Sequence, residues 1–344
     1  MRRLLAQVVV FALLALGLVA AATAQKIGKI AFFGDSLTDS GNNFLLTHQS
    51  TNIPFPLGPA AFSYDIGGHQ YSNGQVWSQD LANSLGLPHS GLPRLQSHDT
   101  GDLFSNYAMG EARSRSNAPA FPDFHLTEQV DNFVSDYEGT VPPNTLIAIW
   151  IGANDLEDAL DALKTDPSGG TSEVILQQAT AAVLENLQVL YQHGARMFLI
   201  ANIPDLSKTP YVRFLGLTDP TIPTIASQMT NEFNTSLESV ASGFSASPGL
   251  QYFRLFDANA LLDLIISSPG KYHLLDAIDR CTVPLVKSNA ICSMPDIYLF
   301  WDATHPTTAG HHLIAGAVFD SLPPQPGKGN GNGKGKGRGK GHHL

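Results

Sequence analysis

Four polar residues spread along the 344-residue chain have the types needed to open an ester: Ser36, Asn154, Asp302 and His305. Such chemistry requires a nucleophile, a base that deprotonates it, a group that holds the base, and donors for the oxyanion of the tetrahedral intermediate. Ser36 offers the hydroxyl and His305 the base. Asp302 stands three residues before His305, close enough on one loop to bond Nδ1 and fix the tautomer that leaves Nε2 free for Ser36. Taken singly, a serine, an aspartate or a histidine carries little weight, since most are surface or capping groups. Their joint placement after strands is the signal.

The elements that must position these residues follow from hydrophobic periodicity. Residues 29–33 form a short apolar run that stops at Gly34, too short for a helix and suited to a buried strand that delivers Ser36 to its end. Similar runs recur at 102–109, 145–151, 197–203, 251–256 and, less clearly, 297–301. Between them lie helical patterns at 125–137, with Leu126, Val130, Phe133 and Val134 on one face, and at 174–191, with Ile175, Ala179, Ala182, Val183, Leu187 and Leu190. Weaker helical patterns cover 225–240 and 308–319, and another lies around 76–85. Strands alternating with helices predict a mainly parallel sheet with helices on both faces, whose ligand site lies at the carboxyl ends of the strands. Three strand ends carry polar clusters there: Gly34-Asp35-Ser36, Gly152-Ala153-Asn154-Asp155 and Asp302-Ala303-Thr304-His305. Gly34 and Asp35 serve equally well as plain turn formers.

The chain ends set the expected organisation as a 1–24 signal peptide, a 25–322 catalytic body and a 323–344 tail. Met1-Arg2-Arg3 precedes an apolar run that closes on Ala22-Thr23-Ala24, the pattern of a cleavable leader rather than a membrane anchor, so a secreted or periplasmic location is expected. The tail reads GKGNGNGKGKGRGKGHHL from Gly327 and has nothing to bury. The chain has 20 basic residues; Arg2 and Arg3 belong to the leader and Lys328, Lys334, Lys336, Arg338 and Lys340 to the tail, while all 30 acidic residues lie in the body. So acidic a body excludes nucleic acid as partner. The basic tail suits weak contact with an anionic envelope or a plain solubilising role. Cys281 and Cys292, the only cysteines, are expected to close a short loop as a disulfide, and two thiols alone do not make a zinc site. His311 and His312 read as packing or surface histidines.

No G-x-S-x-G occurs, so the nucleophile elbow of the α/β-hydrolases is absent. The segment Phe32-Phe33-Gly34-Asp35-Ser36-Leu37-Thr38-Asp39-Ser40-Gly41-Asn42 instead resembles the first block of the GDSL, or SGNH, hydrolases. Gly152-Ala153-Asn154-Asp155 is similar to their G-x-N-D block and Asp302-Ala303-Thr304-His305-Pro306-Thr307 to their D-x-x-H-P block. Tyr71-Ser72-Asn73-Gly74-Gln75-Val76-Trp77 resembles a segment of the secreted lipase and esterase branch, which includes plant GDSL lipases and bacterial phospholipase or haemolysin-like proteins. The blocks stand in family order across nearly the whole body.

The resemblance implies an α/β fold, a flavodoxin-like three-layer α/β/α sandwich with a mainly parallel five-stranded sheet. It implies Ser36 as nucleophile and, through its N–H, oxyanion donor, Asn154 as amide donor, His305 as base and Asp302 as its orienter, with no cofactor or metal. One departure stands out. The second block usually runs N-[FY]-A-x-G-G-A, whereas Asn106-Tyr107-Ala108-Met109-Gly110-Glu111-Ala112 has Glu in place of the second glycine. The third oxyanion donor is assigned to Gly110, with Glu111 N–H as the competing choice. The function implied is a secreted lipase or esterase acting on small-molecule or lipid carboxylic esters. The alternatives are an acyltransferase, a phospholipase on lipid esters, and a catalytically silent envelope-binding protein. A groove built from Phe44, Leu45, Phe55, Phe62 and Tyr64 would favour acyl chains.

Overall fold

The computed structural model describes residues 26–47, 69–97, 103–116, 118, 124–282 and 291–325. The leader and the Lys-rich run of the tail lie outside the described residues, as do Phe55, Phe62 and Tyr64. In chain order the elements are β1 (Lys29–Gly34), α1 (Asn42–Thr47), α2 (Trp77–Leu85), α3 (Leu126–Asp136), β2 (Thr145–Trp150), α4 (Ala153–Ala162), α5 (Gly170–Gln192) and β3 (Met197–Ala201). There follow α6 (Pro210–Leu215), α7 (Ile222–Ser245), β4 (Tyr252–Phe256), α8 (Ala258–Ser267), β5 (Asp276–Arg280), β6 (Tyr298–Phe300) and α9 (Thr308–Ser321). Ile27–Leu322 forms one compact unit.

The main sheet is parallel, in the order β1-β2-β3-β4. Its register pairs Lys29 with Thr145, Leu146 with Met197, and Met197 with Tyr252. All six residues of β2 are buried, as expected of a central parallel strand covered on both faces. Successive side chains of a strand point to opposite faces, and β1 shows what covers each. Phe32 meets the edge of Trp77 on α2 with ring centroids 5.4 Å apart, while Phe33 meets Phe133 on α3 at 5.5 Å. Each of these rings is fully buried, a contribution of roughly 1.5–3 kcal/mol apiece from area removed from water. On Phe33's side Phe198 of β3 packs against Phe244 of α7 at 5.0 Å.

Two strand expectations need correction. Five strands were expected in one sheet; among the described residues that sheet has four. In the run at 102–109 the described residues 103–109 form no regular strand: they join the outer edge of β1 through one parallel bridge, Phe32 to Asn106. Ladder bonds run from Phe32 N–H to Ser105 O, from Tyr107 N–H to Phe32 O and from Met109 N–H to Gly34 O, but the rung from Gly34 N–H is missing because Gln129 Oε1 takes that hydrogen at 2.9 Å. The run at 297–301 does contain a strand, β6, but it pairs with β5 in a separate two-stranded sheet, so His305 follows that small sheet instead of the main one. Cys281 and Cys292 are joined by a disulfide, and Cys281 packs with Trp301 immediately before Asp302. Among the described residues no helix is long and apolar enough to cross a membrane.

Candidate active site

β1 must end at a glycine because a Cβ on Gly34 would sit 2.4 Å from the carbonyl oxygen of Trp150. The Gln129 amide grips Gly34 from α3, accepting its N–H at 2.9 Å and donating to its carbonyl at 2.8 Å. The chain then turns sharply: Asp35 O accepts the N–H groups of Thr38 and Asp39, and Asp35 Oδ1 accepts that of Leu37. Ser36 is carried at this turn, partly exposed. Asp39, wholly buried, gathers the N–H groups of Gly41, Asn42, Asn43 and Gly110, which fixes the start of α1 against the second block.

Across the site, Asp302 Oδ1 accepts the backbone N–H groups of Thr304 and His305, which folds the loop back on itself. That turn brings His305 Nδ1 to 2.8 Å from Asp302 Oδ2. An ionised carboxylate only accepts, so the proton belongs on Nδ1. Nε2, 2.8 Å from Ser36 Oγ, is therefore the acceptor for the serine hydroxyl. Asp302 and His305 are 3% and 7% exposed, dry enough that their mutual charge is poorly screened. Ser36, His305 and Asp302 thus form one hydrogen-bonded chain, built from segments 269 residues apart.

The expected oxyanion donors fare differently. Asn154 lies in the first turn of α4 and donates one Nδ2 hydrogen to Ala112 O at 2.8 Å, leaving the second available. Gly110 N–H is already committed to Asp39 Oδ2 at 2.8 Å, so it has no hydrogen to give an oxyanion. Its neighbour Glu111 has φ 66°, the left-handed region where glycine is usual, and an exposed side chain. Glu111 N–H meets no acceptor among the described residues, nor does Ser36 N–H, while Glu111 O accepts from Arg113 Nη1. Behind this loop Arg113 pairs with Asp158, Arg115 with Asp155 and Asp158, and Ser114 with Asp155, tying the second block to α4.

Burial pulls the His305 imidazole down, but the charge and hydrogen bond of Asp302, joined by Asp35 and Glu157, outweigh it and hold the pKa above the ordinary value. Desolvation pushes Asp35 and the partly buried Glu157 up to about 7 and Asp39 up to about 6. His311 is wholly buried and held down to about 3 by that burial, so it is neutral. His312 is exposed, 3.4 Å from Asp80. Among the described residues no group of three or more His, Cys, Asp and Glu side chains is gathered as for a metal ion.

The roles of Gln129, Asp39 and the Arg113–Arg115 network are absent from the sequence reading. In the sequence, Gln129 is marked only as a polar residue inside the apolar stripe of Leu126, Val130 and Phe133. The other two are contacts between distant segments and are not marked there.

Residues 30–318 match the family of GDSL-like Lipase/Acylhydrolase. The thermolabile hemolysin of Vibrio parahaemolyticus is 27% identical over 320 residues, covering 88% of this chain and 65% of the hemolysin's own length. The GDSL esterase/lipase At2g23540 of Arabidopsis thaliana is 24% identical over 325 residues, covering 84% and 83%. Among solved structures, Axe2, an acetylxylan esterase from Geobacillus stearothermophilus, superposes with a TM-score of 0.42 at 15% identity, covering 86% of this chain and 95% of that one. The chain belongs to the GDSL-like lipase/acylhydrolase family of carboxylic ester hydrolases.

Proposed function

We propose that the protein is a secreted serine esterase or lipase that cleaves carboxylic esters through an acyl-enzyme on Ser36. The observation that carries this reading is the run of two 2.8 Å contacts from Ser36 Oγ through His305 to Asp302. As Ser36 Oγ attacks the ester carbonyl, its proton passes to His305 Nε2, and Asp302 stabilises the imidazolium that forms. The carbonyl oxygen becomes an oxyanion received by Ser36 N–H, Glu111 N–H and the free hydrogen of Asn154 Nδ2. His305 returns the proton to the departing alkoxide, releasing the alcohol. Water, deprotonated by His305, then attacks the acyl carbon and frees the acid and Ser36. Neither metal nor cofactor enters these steps.

Glu111 N–H takes the donor role from Gly110 because Gly110 N–H is held by Asp39. Export rests on the leader, with cleavage after Ala24, and N-terminal sequencing of the exported protein should begin at Gln25. The function is tested by release of p-nitrophenol from acyl esters of rising chain length, comparing the protein with Ser36→Ala. Activity lost in the variant supports the reading, and the preferred length separates lipase from short-ester esterase. Equal activity in both proteins refutes it.

A further inference from the structure

The segment Tyr71–Gly74 has no part in the bond-making steps, yet it touches His305, the backbone that follows it, α1 and Gly110. Ser72, fully buried, donates Oγ–H to Pro306 O at 2.9 Å, and Asn73 Oδ1 accepts Thr308 N–H at 2.7 Å. These two bonds grip the backbone just after His305, from residues 234 and 235 positions away in sequence. The second also caps α9, whose first-turn N–H groups have no partner within the helix. Gly74 lets the backbones close up, since a Cβ there would lie 2.6 Å from Thr308 Oγ1.

Tyr71 lays its ring against the His305 imidazole, with centroids 5.2 Å apart and planes 33° from parallel. Its hydroxyl accepts from Asn43 Nδ2 on α1 and presses on Gly110, where a Cβ would come within 2.2 Å of it. The chain then enters α2, where Trp77 Nε1 bonds Thr38 Oγ1 at 3.1 Å and Ser78 Oγ bonds Thr38 O at 2.9 Å, two residues beyond Ser36. One short stretch therefore holds the base loop at one end, the nucleophile turn at the other, and the oxyanion loop between.

We propose that Tyr71, Ser72 and Asn73 are positioning residues that set His305 against Ser36, acting as a clamp between two loops that no strand connects. Asp302 fixes the tautomer and tilt of His305, but Asp302 and His305 sit on the same loop and move together. The clamp and the packing of α2 against α9 join that loop to the turn that carries Ser36, while Tyr211 N–H of α6, bonded to Ala303 O at 2.9 Å, holds its outer side. The inference rests on the esterase reading above and adds residues to it.

The test compares Asn73→Ala, Asn73→Asp and Ser72→Ala with the unaltered protein in ester hydrolysis at the high-pH plateau. Asn73→Asp keeps the oxygen acceptor for Thr308 N–H. A reacting pair displaced by about 1 Å loses on the order of 10²-fold in rate, so Asn73→Ala and Ser72→Ala should each lower kcat by about that factor with KM within about threefold. Asn73→Asp should recover most of the loss. The double variant Ser72→Ala/Asn73→Ala should lose less than the product of the single losses, because the two bonds hold one loop.

A kcat within twofold of normal in Asn73→Ala, a loss that falls on KM alone, or no recovery in Asn73→Asp overturns the proposal. If one variant does not fold, Ser72→Ala and Asn73→Ala judge it separately. If the unaltered protein hydrolyses no ester, the esterase reading fails, and the low-field NMR signal of the His305 Nδ1 proton decides the clamp on its own. That signal should shift or broaden in Asn73→Ala and return in Asn73→Asp; an unchanged signal in both refutes the clamp.

Discussion

At the scale of single residues, the site depends on which hydrogens are already spoken for. Asp302 can only accept, so replacing it with Asn lets the imidazole meet a donor and invites the wrong tautomer. Asp302→Asn should lower kcat by about 10²–10⁴-fold, as in other Ser-His-Asp sites. The pH profile gives a second readout. Because attack requires neutral His305, whose pKa is held above the ordinary value chiefly against burial by Asp302, kcat/KM should rise with pH through a value above 6.5. In Asp302→Asn the residual activity should rise at lower pH. Glu111 supplies a further case. Its φ of 66° is uncommon for any side chain, and its proposed task uses only the backbone N–H, so Glu111→Gly should keep kcat within a few fold. A collapse of activity in that variant would assign work to the carboxylate. The joining of Ser36, His305 and Asp302 was legible in the sequence because each stands in a short local block. Gly110 was expected as the third donor; its hydrogen is held in the structure by Asp39, 71 residues away, a contact with no sequence signal.

At the scale of elements, period and length were reliable where a segment is buried on both faces or along one stripe. The runs that became β1, β2, β3 and β4 and the patterns that became α3, α5 and α9 have their boundaries shifted by only a few residues. The run at 102–109 forms no regular strand because the Gln129 side chain takes the Gly34 N–H that would continue its ladder with β1, a contact which composition does not reveal. The second block is instead pinned to α4 by ions. Arg115 Nε meets Asp155 Oδ1 at 2.7 Å, and the Asp155 side chain is wholly buried. Removing one partner of such a pair strands the other charge, at a cost of about 3–5 kcal/mol. Arg115→Met should therefore unfold at lower urea concentration, with kcat reduced alongside because the loop also carries Glu111 and receives Asn154. The Cys281–Cys292 bridge closes a loop with a sequence separation of 11, for which chain entropy suggests about 3 kcal/mol. Reduction should lower the thermal midpoint, and an unchanged midpoint would show the β5–β6 sheet to be held by packing alone.

For the whole molecule, the buried Asp35 and Asp39 and the partly buried Glu157 determine how stability responds to pH. Desolvation holds Asp35 and Glu157 at about 7 and Asp39 at about 6. Between the ordinary carboxylate range and pH 7 the folded protein therefore keeps protons that the unfolded chain releases. Stability should fall as pH rises across that window. His305, raised above its ordinary value, acts in the same direction. His311, held down to about 3, opposes them below 6.5, one group against three carboxyls. The thermal midpoint should thus be higher at pH 5 than at pH 8, and Asp35→Asn, which keeps an acceptor for Leu37 N–H, should flatten the dependence. A midpoint that climbs from pH 5 to pH 8 would contradict this electrostatic picture. Activity and stability consequently favour opposite ends of the range, as expected where a base must be neutral to work beside acids that prefer to be protonated.

The most direct test of acyl transfer through Ser36 is mass spectrometry of acid-quenched protein mixed with a slowly released acyl ester. The mass should rise by one acyl group, located on the peptide that contains Ser36 and missing in Ser36→Ala. Rapid ester turnover with no adduct, or an adduct that persists in Ser36→Ala, would contradict it.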